Sequence, residues 1–242
     1  MTCSPTIVLV HGALSDASVW AEVAPRLLRQ SAIVLAPAMP LRGLETDVAY
    51  LSAFLDTIEG PLVLVGHSYG GTVISHPALA KADVKALVYI AAFAPESGES
   101  CVALNTRWPG SKLGDEAVLT RPHPGGNDLY LRPEHFAEVY ADDLPAAKVE
   151  LLALTQRPID VATLGGSFEG EPLWRRVPSW MLISTKDASL PVEAQRFMAQ
   201  RAQATTLEVV CSHAAPLSQP AETANWILLA VAHAADVDQR AP

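Results

Sequence analysis

Short aliphatic runs alternate with longer stretches of helical periodicity along most of this chain. The runs are rich in β-branched residues, which is typical of strands buried on both faces of a sheet. Between them, apolar residues recur at spacings of three and four, which predicts amphipathic helices. Strands that alternate with helices favour an α/β fold, with a doubly wound, mostly parallel sheet and right-handed crossovers. We predict six strands, beginning near Ile7, Ala32, Leu62, Val84, Trp180 and Leu207.

The alternation stops between residues 95 and 177. Gly, Pro and charged residues cluster in this segment, and two helical patterns emerge from it, roughly Pro133 to Asp142 and Ala146 to Gln156. We therefore predict an α/β core from residues 1–94 and 178–242, with a small helical cap inserted at residues 95–177. An insertion that leaves a parallel sheet at the carboxyl end of a strand covers the edge where such sheets bind ligands.

Candidate chemistry is concentrated directly after the third predicted strand. There the chain reads Gly66-His67-Ser68-Tyr69-Gly70-Gly71 and continues at helical spacing. A strand that turns straight into a helix leaves no room for side chains beside the turn, so the residues flanking Ser68 must be small. The turn strains the backbone of the central residue and exposes its hydroxyl group. Such a sequence also arises by chance in Gly-rich turns, but the strand before it and the helix after it favour a nucleophile elbow.

A serine hydroxyl needs a base within hydrogen-bond reach, and His213 is our candidate for that base. It follows the sixth predicted strand, at the sheet edge where Ser68 is also expected. The other histidines of the chain fit other roles. We expect His11 and His67 to be fixed in tight backbone segments and His76 to pack behind the elbow. His123 and His135 lie in the predicted cap, and we expect His233 to be exposed.

The base in turn needs a carboxylate, and Asp187 is our candidate. It leaves the fifth predicted strand at the same sheet edge. The same residue could simply form the turn before the helix that begins at Pro191. Asp142 and Asp160 are rivals only if the cap folds in an unusual way.

Two backbone N–H groups are expected to form an oxyanion hole, the site that binds the negative charge of a tetrahedral intermediate. Tyr69 follows the candidate nucleophile and begins its helix, and Ala13 lies in the turn after the first strand. Gly12 would let the backbone approach a substrate closely at this point.

With these residues in place, the chain resembles the α/β-hydrolase superfamily over nearly its whole length. More narrowly, it is similar to the branch that holds methyl-salicylate-type esterases of plants, hydroxynitrile lyases and related bacterial esterases. The chain order of Ser68, Asp187 and His213 is the order found in that superfamily. The resemblance implies a Ser–His–Asp enzyme with a small helical cap and neither a cofactor nor a metal. It is carried by His11–Ala13, Trp20, Gly66–Gly71, Asp187–Gln195, Ser212–Ala214 and Ser218–Pro220.

Two departures from that branch bear on the reaction. Hydroxynitrile lyases carry Thr at the position of Gly12 and Lys at the position of Ala214, so the residues here disfavour a lyase. A serine at position 68 also argues against epoxide and haloalkane hydrolysis, which use an aspartate nucleophile in this superfamily. We expect a serine hydrolase that cleaves carboxylic esters of small to medium, apolar or aromatic substrates through an acyl-enzyme. A lactonase, a C–C hydrolase or a biosynthetic tailoring enzyme would use the same triad, and a non-catalytic ligand receptor would share the fold.

Substrate contacts are expected from both parts of the chain. The cap is too apolar for a solvated loop, so most of its large side chains should pack onto the core while a few face the ligand. The expected substrate-binding residues are Gly12, Leu14, Trp108, Phe136, Tyr140 and Ala214.

Composition and charge narrow the setting of the protein. The chain has 242 residues and a formal net charge of −9, which argues against nucleic acid and anionic membrane surfaces as partners. The apolar run Ile7–Val10 is too short for a signal peptide or a membrane span. Cys3, Cys101 and Cys211 are odd in number and widely spaced, which indicates free thiols in a reducing compartment and no metal site. We therefore expect a cytoplasmic protein that acts on a small-molecule ester, and a homodimer is compatible with the sequence.

Overall fold

A six-stranded sheet forms the centre of the protein, seen in a computed structural model that describes residues 4–240. The strands of the molecule are β1 (Thr6–Val10), β2 (Val34–Leu35), β3 (Leu62–His67), β4 (Val84–Ile90), β5 (Val118–His123), β6 (Gly126–Leu131), β7 (Ile159–Asp160), β8 (Ser179–Ser184) and β9 (Thr205–Val209). The central sheet has the order β2-β1-β3-β4-β8-β9, and every neighbouring pair is parallel. The predicted doubly wound α/β sheet is therefore confirmed.

Burial explains why these strands could be read from the sequence. β1, β3 and β8 are buried at every residue, because helices cover both faces of the sheet. The edge strands β2 and β9 are half-buried or exposed. The longest helix, α10, packs against β3, β4 and β8. The α-helices are α1 (Ala24–Leu28), α2 (Leu44–Leu55), α3 (Tyr69–Ser75), α4 (Cys101–Thr106), α5 (Pro133–Tyr140), α6 (Ala146–Thr155), α7 (Val161–Gly165), α8 (Val192–Arg201), α9 (Ala215–Ser218) and α10 (Pro220–Arg240).

The segment at residues 95–177 combines helices with a second sheet. The helices α5 and α6 lie where the two helical patterns predicted them. The hairpin of β5 and β6, extended by β7, is antiparallel and was not predicted. Gly125 in its turn has a φ of 102°, which suits a tight hairpin. Pro122 lies within β5, and an edge strand tolerates it because only one side of the strand is paired.

The expectations about thiols and membranes can be compared with the described residues. Cys101 and Cys211 are buried free thiols, whereas Cys3 lies outside the described residues. Within residues 4–240, no helix has the length and hydrophobicity needed to cross a membrane.

Candidate active site

The backbone at Ser68 is bent as a strand-to-helix elbow requires. Ser68 lies between β3 and α3 with a φ of 54° and a ψ of −125°, a strained conformation for a residue with a side chain. The neighbouring glycines are required by space. A Cβ atom on Gly66 would lie 2.6 Å from the backbone nitrogen of Gly71, and one on Gly70 would overlap the carbonyl oxygen of Val10. The close approach of strand and helix therefore holds the hydroxyl of Ser68 at the carboxyl edge of the sheet.

Ser68, His213 and Asp187 form a continuous series of hydrogen bonds. The Oγ atom of Ser68 lies 2.9 Å from Nε2 of His213, and Nδ1 of the same ring lies 2.7 Å from Oδ2 of Asp187. Because an ionised carboxylate can only accept, Nδ1 carries the proton and Nε2 is free to accept from the serine. The side chains of His213 and Asp187 are 3% and 0% exposed. This arrangement can draw a proton from the serine hydroxyl.

Asp187 also shapes the turn that follows β8. Its Oδ1 atom accepts hydrogen bonds from the backbone nitrogens of Ser189 and Leu190, each at 2.8 Å. The turn-forming role considered from the sequence and the contact with His213 therefore coexist in one carboxylate. The rival Asp160 instead pairs with His123 in the antiparallel sheet.

The two histidines nearest the site hold backbone segments. Nε2 of His67 donates to the carbonyl oxygen of His213 at 2.9 Å. Nδ1 of His11 donates to the carbonyl of Gly12, and its Nε2 accepts from the backbone nitrogen of Met39, both at 2.9 Å. Burial, with a smaller effect of the neighbouring His213, lowers the pKa of His67 to about 3. Burial also lowers the pKa of His11, so both rings stay neutral and fix the loops around the site.

The expected oxyanion-hole residues lie beside Ser68. Ala13 and Tyr69 both border the cavity that reaches its hydroxyl. Among the described residues, no acceptor pairs with the backbone N–H of either one. The phenol of Tyr69 donates to Oδ2 of Asp47 at 2.8 Å, which anchors its ring away from the nucleophile. Burial raises the pKa of Asp47.

A largely apolar cavity of about 210 Å³ opens onto Ser68 and His213. Its lining includes core residues such as Phe93 and Leu190. Val118 of β5 and Leu129 of β6 also line it. The described lining contains no Lys or Arg, and Asp115 is its acidic residue. The chamber therefore suits an uncharged, mainly apolar molecule.

The structure separates the expected substrate-binding residues into two groups. Leu14 and Tyr140 line the cavity. The other four residues contact protein groups. Trp108 stacks on Phe197 with 4.9 Å between ring centres, Phe136 packs on the ring of Tyr140 at 5.2 Å, Ala214 is fully buried, and a Cβ atom on Gly12 would lie 3.2 Å from Oγ of Ser68. Substrate binding by these four residues stays a prediction.

Sequence reasoning missed the hairpin wall of the cavity. Val118 and Leu129 lie on strands that could have been found from the Pro124–Gly126 turn between two β-prone runs. No local sequence signal marks Phe93 or Cys101 as a cavity residue. Phe93 lies in irregular chain after β4, and Cys101 begins α4.

In the described part of the chain, no group of three or more His, Cys, Asp or Glu residues lies close enough together to hold a metal ion.

This geometry and fold correspond to a known class of protein. The model of the Alpha/beta hydrolase family matches residues 7–226, and the chain belongs to that family. The chain is 27% identical over 242 aligned residues to the pyrethroid hydrolase of Sphingobium wenxiniae, covering 91% of this chain and 85% of that protein. It is 36% identical over 110 residues to the carbendazim hydrolyzing esterase of a Nocardioides species, covering 40% of this chain and 46% of that protein. The chain thus spans less than half the length of the second relative.

Solved structures show the same fold. The crystal structure of polyneuridine aldehyde esterase superposes with a TM-score of 0.79 at 23% identity, covering 93% of this chain and 98% of that one.

Proposed function

We propose that this protein is a serine hydrolase that cleaves carboxylic esters, with Ser68 as nucleophile, His213 as base and Asp187 as its partner. The observation that carries the proposal is the unbroken hydrogen-bond series from Asp187 to Ser68 at the wall of an apolar cavity. Both named relatives are hydrolases, and one is named an esterase, which supports the same class of reaction.

The proposed reaction proceeds in two halves. Oγ of Ser68 attacks the ester carbonyl carbon while Nε2 of His213 takes the hydroxyl proton. The tetrahedral intermediate collapses, the C–O bond to the alcohol breaks, and the imidazolium returns its proton to the leaving alcohol. Water then attacks the acyl-enzyme, with His213 again taking a proton, and the acid is released as Ser68 recovers its hydrogen.

Two further parts of the chain support these steps in the proposal. The backbone N–H groups of Ala13 and Tyr69 would bind the negative oxygen of the intermediate, and losing one such donor typically costs about 3–4 kcal/mol. We propose residues 95–177 as the cap that closes the site from bulk water. A cytoplasmic location and a homodimer remain predictions from the sequence.

The residues that line the cavity indicate the polarity of the substrate. A lining that is mostly apolar and free of cationic residues in the described chain favours small to medium, uncharged esters with alkyl or aryl groups. The relatives named for pyrethroid and carbendazim hydrolysis suggest aromatic esters and carbamates as the first compounds to assay.

The deciding experiment compares Ser68, which directly precedes α3, with Ser75, the last residue of that helix. Ser68→Ala should lower kcat on an aryl ester by about 10⁴-fold or more and abolish labelling by a fluorophosphonate. Ser75→Ala is the matched control, because the Ser75 hydroxyl is also buried but donates to the Gly71 carbonyl and accepts from the phenol of Tyr89. It should cost about 1–3 kcal/mol of stability, since the buried phenol loses its partner, and leave kcat unchanged. Full activity in Ser68→Ala would contradict the proposal.

A further inference from the structure

Gln195 is a buried polar side chain that contacts the proposed triad from α8. It is 0% exposed. Its Nε2 atom donates to Oδ2 of Asp187 at 3.0 Å. This is the same oxygen that accepts from Nδ1 of His213. Two hydrogen bonds therefore converge on the carboxylate atom that faces the imidazole.

The orientation of the Gln195 amide is fixed by backbone groups. Its Oε1 accepts from the backbone nitrogen of Ser184 at 3.0 Å, and its Nε2 also donates to the carbonyl of Leu190 at 3.0 Å. A backbone nitrogen can only donate and a carbonyl can only accept, so the amide cannot be flipped without losing both contacts. Its N–H group must therefore point at Asp187.

Asp187 is held by donors on both of its oxygens. Backbone nitrogens of the turn hold Oδ1, and these bonds alone would leave Oδ2 free to swing away from His213. The hydrogen bond from the Gln195 amide restrains Oδ2 and stabilises the negative charge on it. Resting on the proposed function, we infer that Gln195 is a positioning residue that fixes the plane of Asp187 and sets how strongly this carboxylate stabilises protonated His213.

His67, Tyr140 and Cys211 lie near His213 and keep one charge state between about pH 5 and 9. The ring centres of His67 and Tyr140 lie 4.9 and 5.1 Å from the ring centre of His213. Cys211 lies two residues before His213 in the chain. Burial raises the pKa of Tyr140 and raises that of Cys211 to about 11, while that of His67 is lowered to about 3. Asp143 is an exposed carboxylate on the neighbouring loop. A change in the acid limb of the pH–rate profile between about pH 5 and 9 therefore reports on the Asp187–His213 pair.

Two substitutions at position 195 separate the two roles. Gln195→Met removes the donor at similar length and should lower kcat about tenfold, with KM within about twofold, because only the alignment of the base is loosened. Gln195→Glu places a second carboxyl group against Oδ2 of Asp187. Its added negative charge favours protonated His213, so the midpoint of the acid limb should move to higher pH by about one unit. The new carboxyl group keeps an acceptor for the backbone nitrogen of Ser184, but when ionised it loses the donations to Asp187 and to the Leu190 carbonyl, so its Tm must be compared with that of wild type.

Gln156 offers a matched control in the inserted segment. Its Oε1 accepts from the backbone nitrogen of Leu131 at 2.8 Å, and its Nε2 donates to the carbonyl of the same residue at 2.9 Å. It thus fixes backbone by the same amide contacts but donates to no member of the triad. Gln156→Met and Gln156→Glu should lower Tm and leave both kcat and the acid-limb midpoint at wild-type values.

The experiment measures kcat, KM, Tm and the pH–rate profile on one aryl ester for wild type and the four variants. A lower kcat and a shifted midpoint in the position-195 variants alone support the inference. A wild-type midpoint and kcat in Gln195→Glu, or equal changes in the Gln156 variants, overturn it. If Gln195→Met does not fold, Gln195→Glu decides the question. Esterase activity that survives Ser68→Ala removes the proposed function instead, whereas activity that needs Ser68 but ignores Gln195 removes only this inference.

Discussion

Among the described residues, two His–Asp pairs in different regions have almost the same N···O distance, although His213 uses Nδ1 and His123 uses Nε2. In the core, His213 and Asp187 meet at 2.7 Å with side chains 3% and 0% exposed. In the inserted segment, His123 and Asp160 meet at 2.8 Å with side chains 17% and 15% exposed. The difference lies in the second ring nitrogen. That of His213 faces the hydroxyl of Ser68, whereas that of His123 is bonded to the carbonyl of Pro124.

This contrast shows that a carboxylate and an imidazole do not make a reactive unit by themselves. In the proposed mechanism the core pair can act on a hydroxyl, because the sheet edge brings the strained Ser68 to the free nitrogen of a buried imidazole. The other pair joins two strands and has no hydroxyl to activate. The same substitution made in each of the two regions should therefore have very different effects on activity.

The largest difference is expected from removing each carboxylate. Asp187→Asn should lower kcat by about 10⁴-fold, because the amide no longer holds His213 in the tautomer that can accept from serine. Asp160→Asn should change kcat by less than about twofold. Steady-state kinetics on an aryl ester, with circular dichroism to establish folding, would check this. Similar losses in both variants would show that the pair in the inserted segment takes part in the reaction.

A smaller but clear difference is expected from adding a methyl group in each region. A Cβ atom on Gly12 would lie 2.6 Å from Cβ of Ser68, so Gly12→Ala should push the nucleophile from its partners and lower kcat by about 100-fold. A Cβ atom on Gly165 would have no heavy atom within 4 Å. Gly165→Ala is thus the control and should retain wild-type kinetics. Wild-type kcat in Gly12→Ala would show that the turn after β1 yields easily.

The cavity wall should respond through binding rather than through the chemical step. Leu129→Ala removes apolar surface that lines the cavity and should raise KM for a bulky aryl ester about fivefold, equivalent to about 1 kcal/mol. Trp108→Leu breaks the stacking on Phe197 outside the cavity and should lower Tm without changing KM. A series of esters with growing alkyl groups would measure both effects. A raised KM in Trp108→Leu alone would instead support the role in substrate binding that the sequence predicts for Trp108.

The smallest effect concerns the pH dependence of stability in the inserted segment. The hydrogen bond from His123 lowers the pKa of Asp160 below its ordinary value of 3.8. A lowered carboxyl pKa adds stability that is complete above 3.8 and is lost as the pH falls through the lowered value. Asp160→Asn should therefore lower the free energy of unfolding by less than about 1 kcal/mol at pH 7. Its difference from wild type should shrink as the pH falls below the lowered pKa of Asp160. Urea unfolding at several pH values would test this, and a constant difference down to acid pH would contradict it.

The same contrast explains what the sequence could and could not reveal. The strands β3 and β8, which precede Ser68 and Asp187, are continuous runs buried on both faces, and their local signals agree with the global fold. The edge strand β9 before His213 is half-buried or exposed, so His213 was found from its place in the chain order rather than from burial. The cavity wall is different again, because β5 and β6 are antiparallel and mostly half-buried or exposed. Their position over the core depends on tertiary contacts that no local pattern encodes.

Large side chains in the inserted segment carry an ambiguous signal for a related reason. An aromatic residue in an apolar segment favours apolar contacts, but its size does not say whether its neighbour is a ligand or the rest of the chain. The half-buried Trp108 and the buried Phe136 both contact aromatic rings of the protein, while smaller residues such as Val118 line the cavity. Size alone therefore does not locate the substrate-binding residues.

The apolar cavity, whose described lining contains no Lys or Arg, has a consequence for the end of each catalytic cycle. Hydrolysis converts a neutral ester into an acid that ionises at neutral pH. The lining described here presents no cationic partner to that anion, and Asp115 repels it. The product is thus worse matched to the chamber than the substrate from which it came. Turnover by such a site should continue with little slowing as the product accumulates in the surrounding solution.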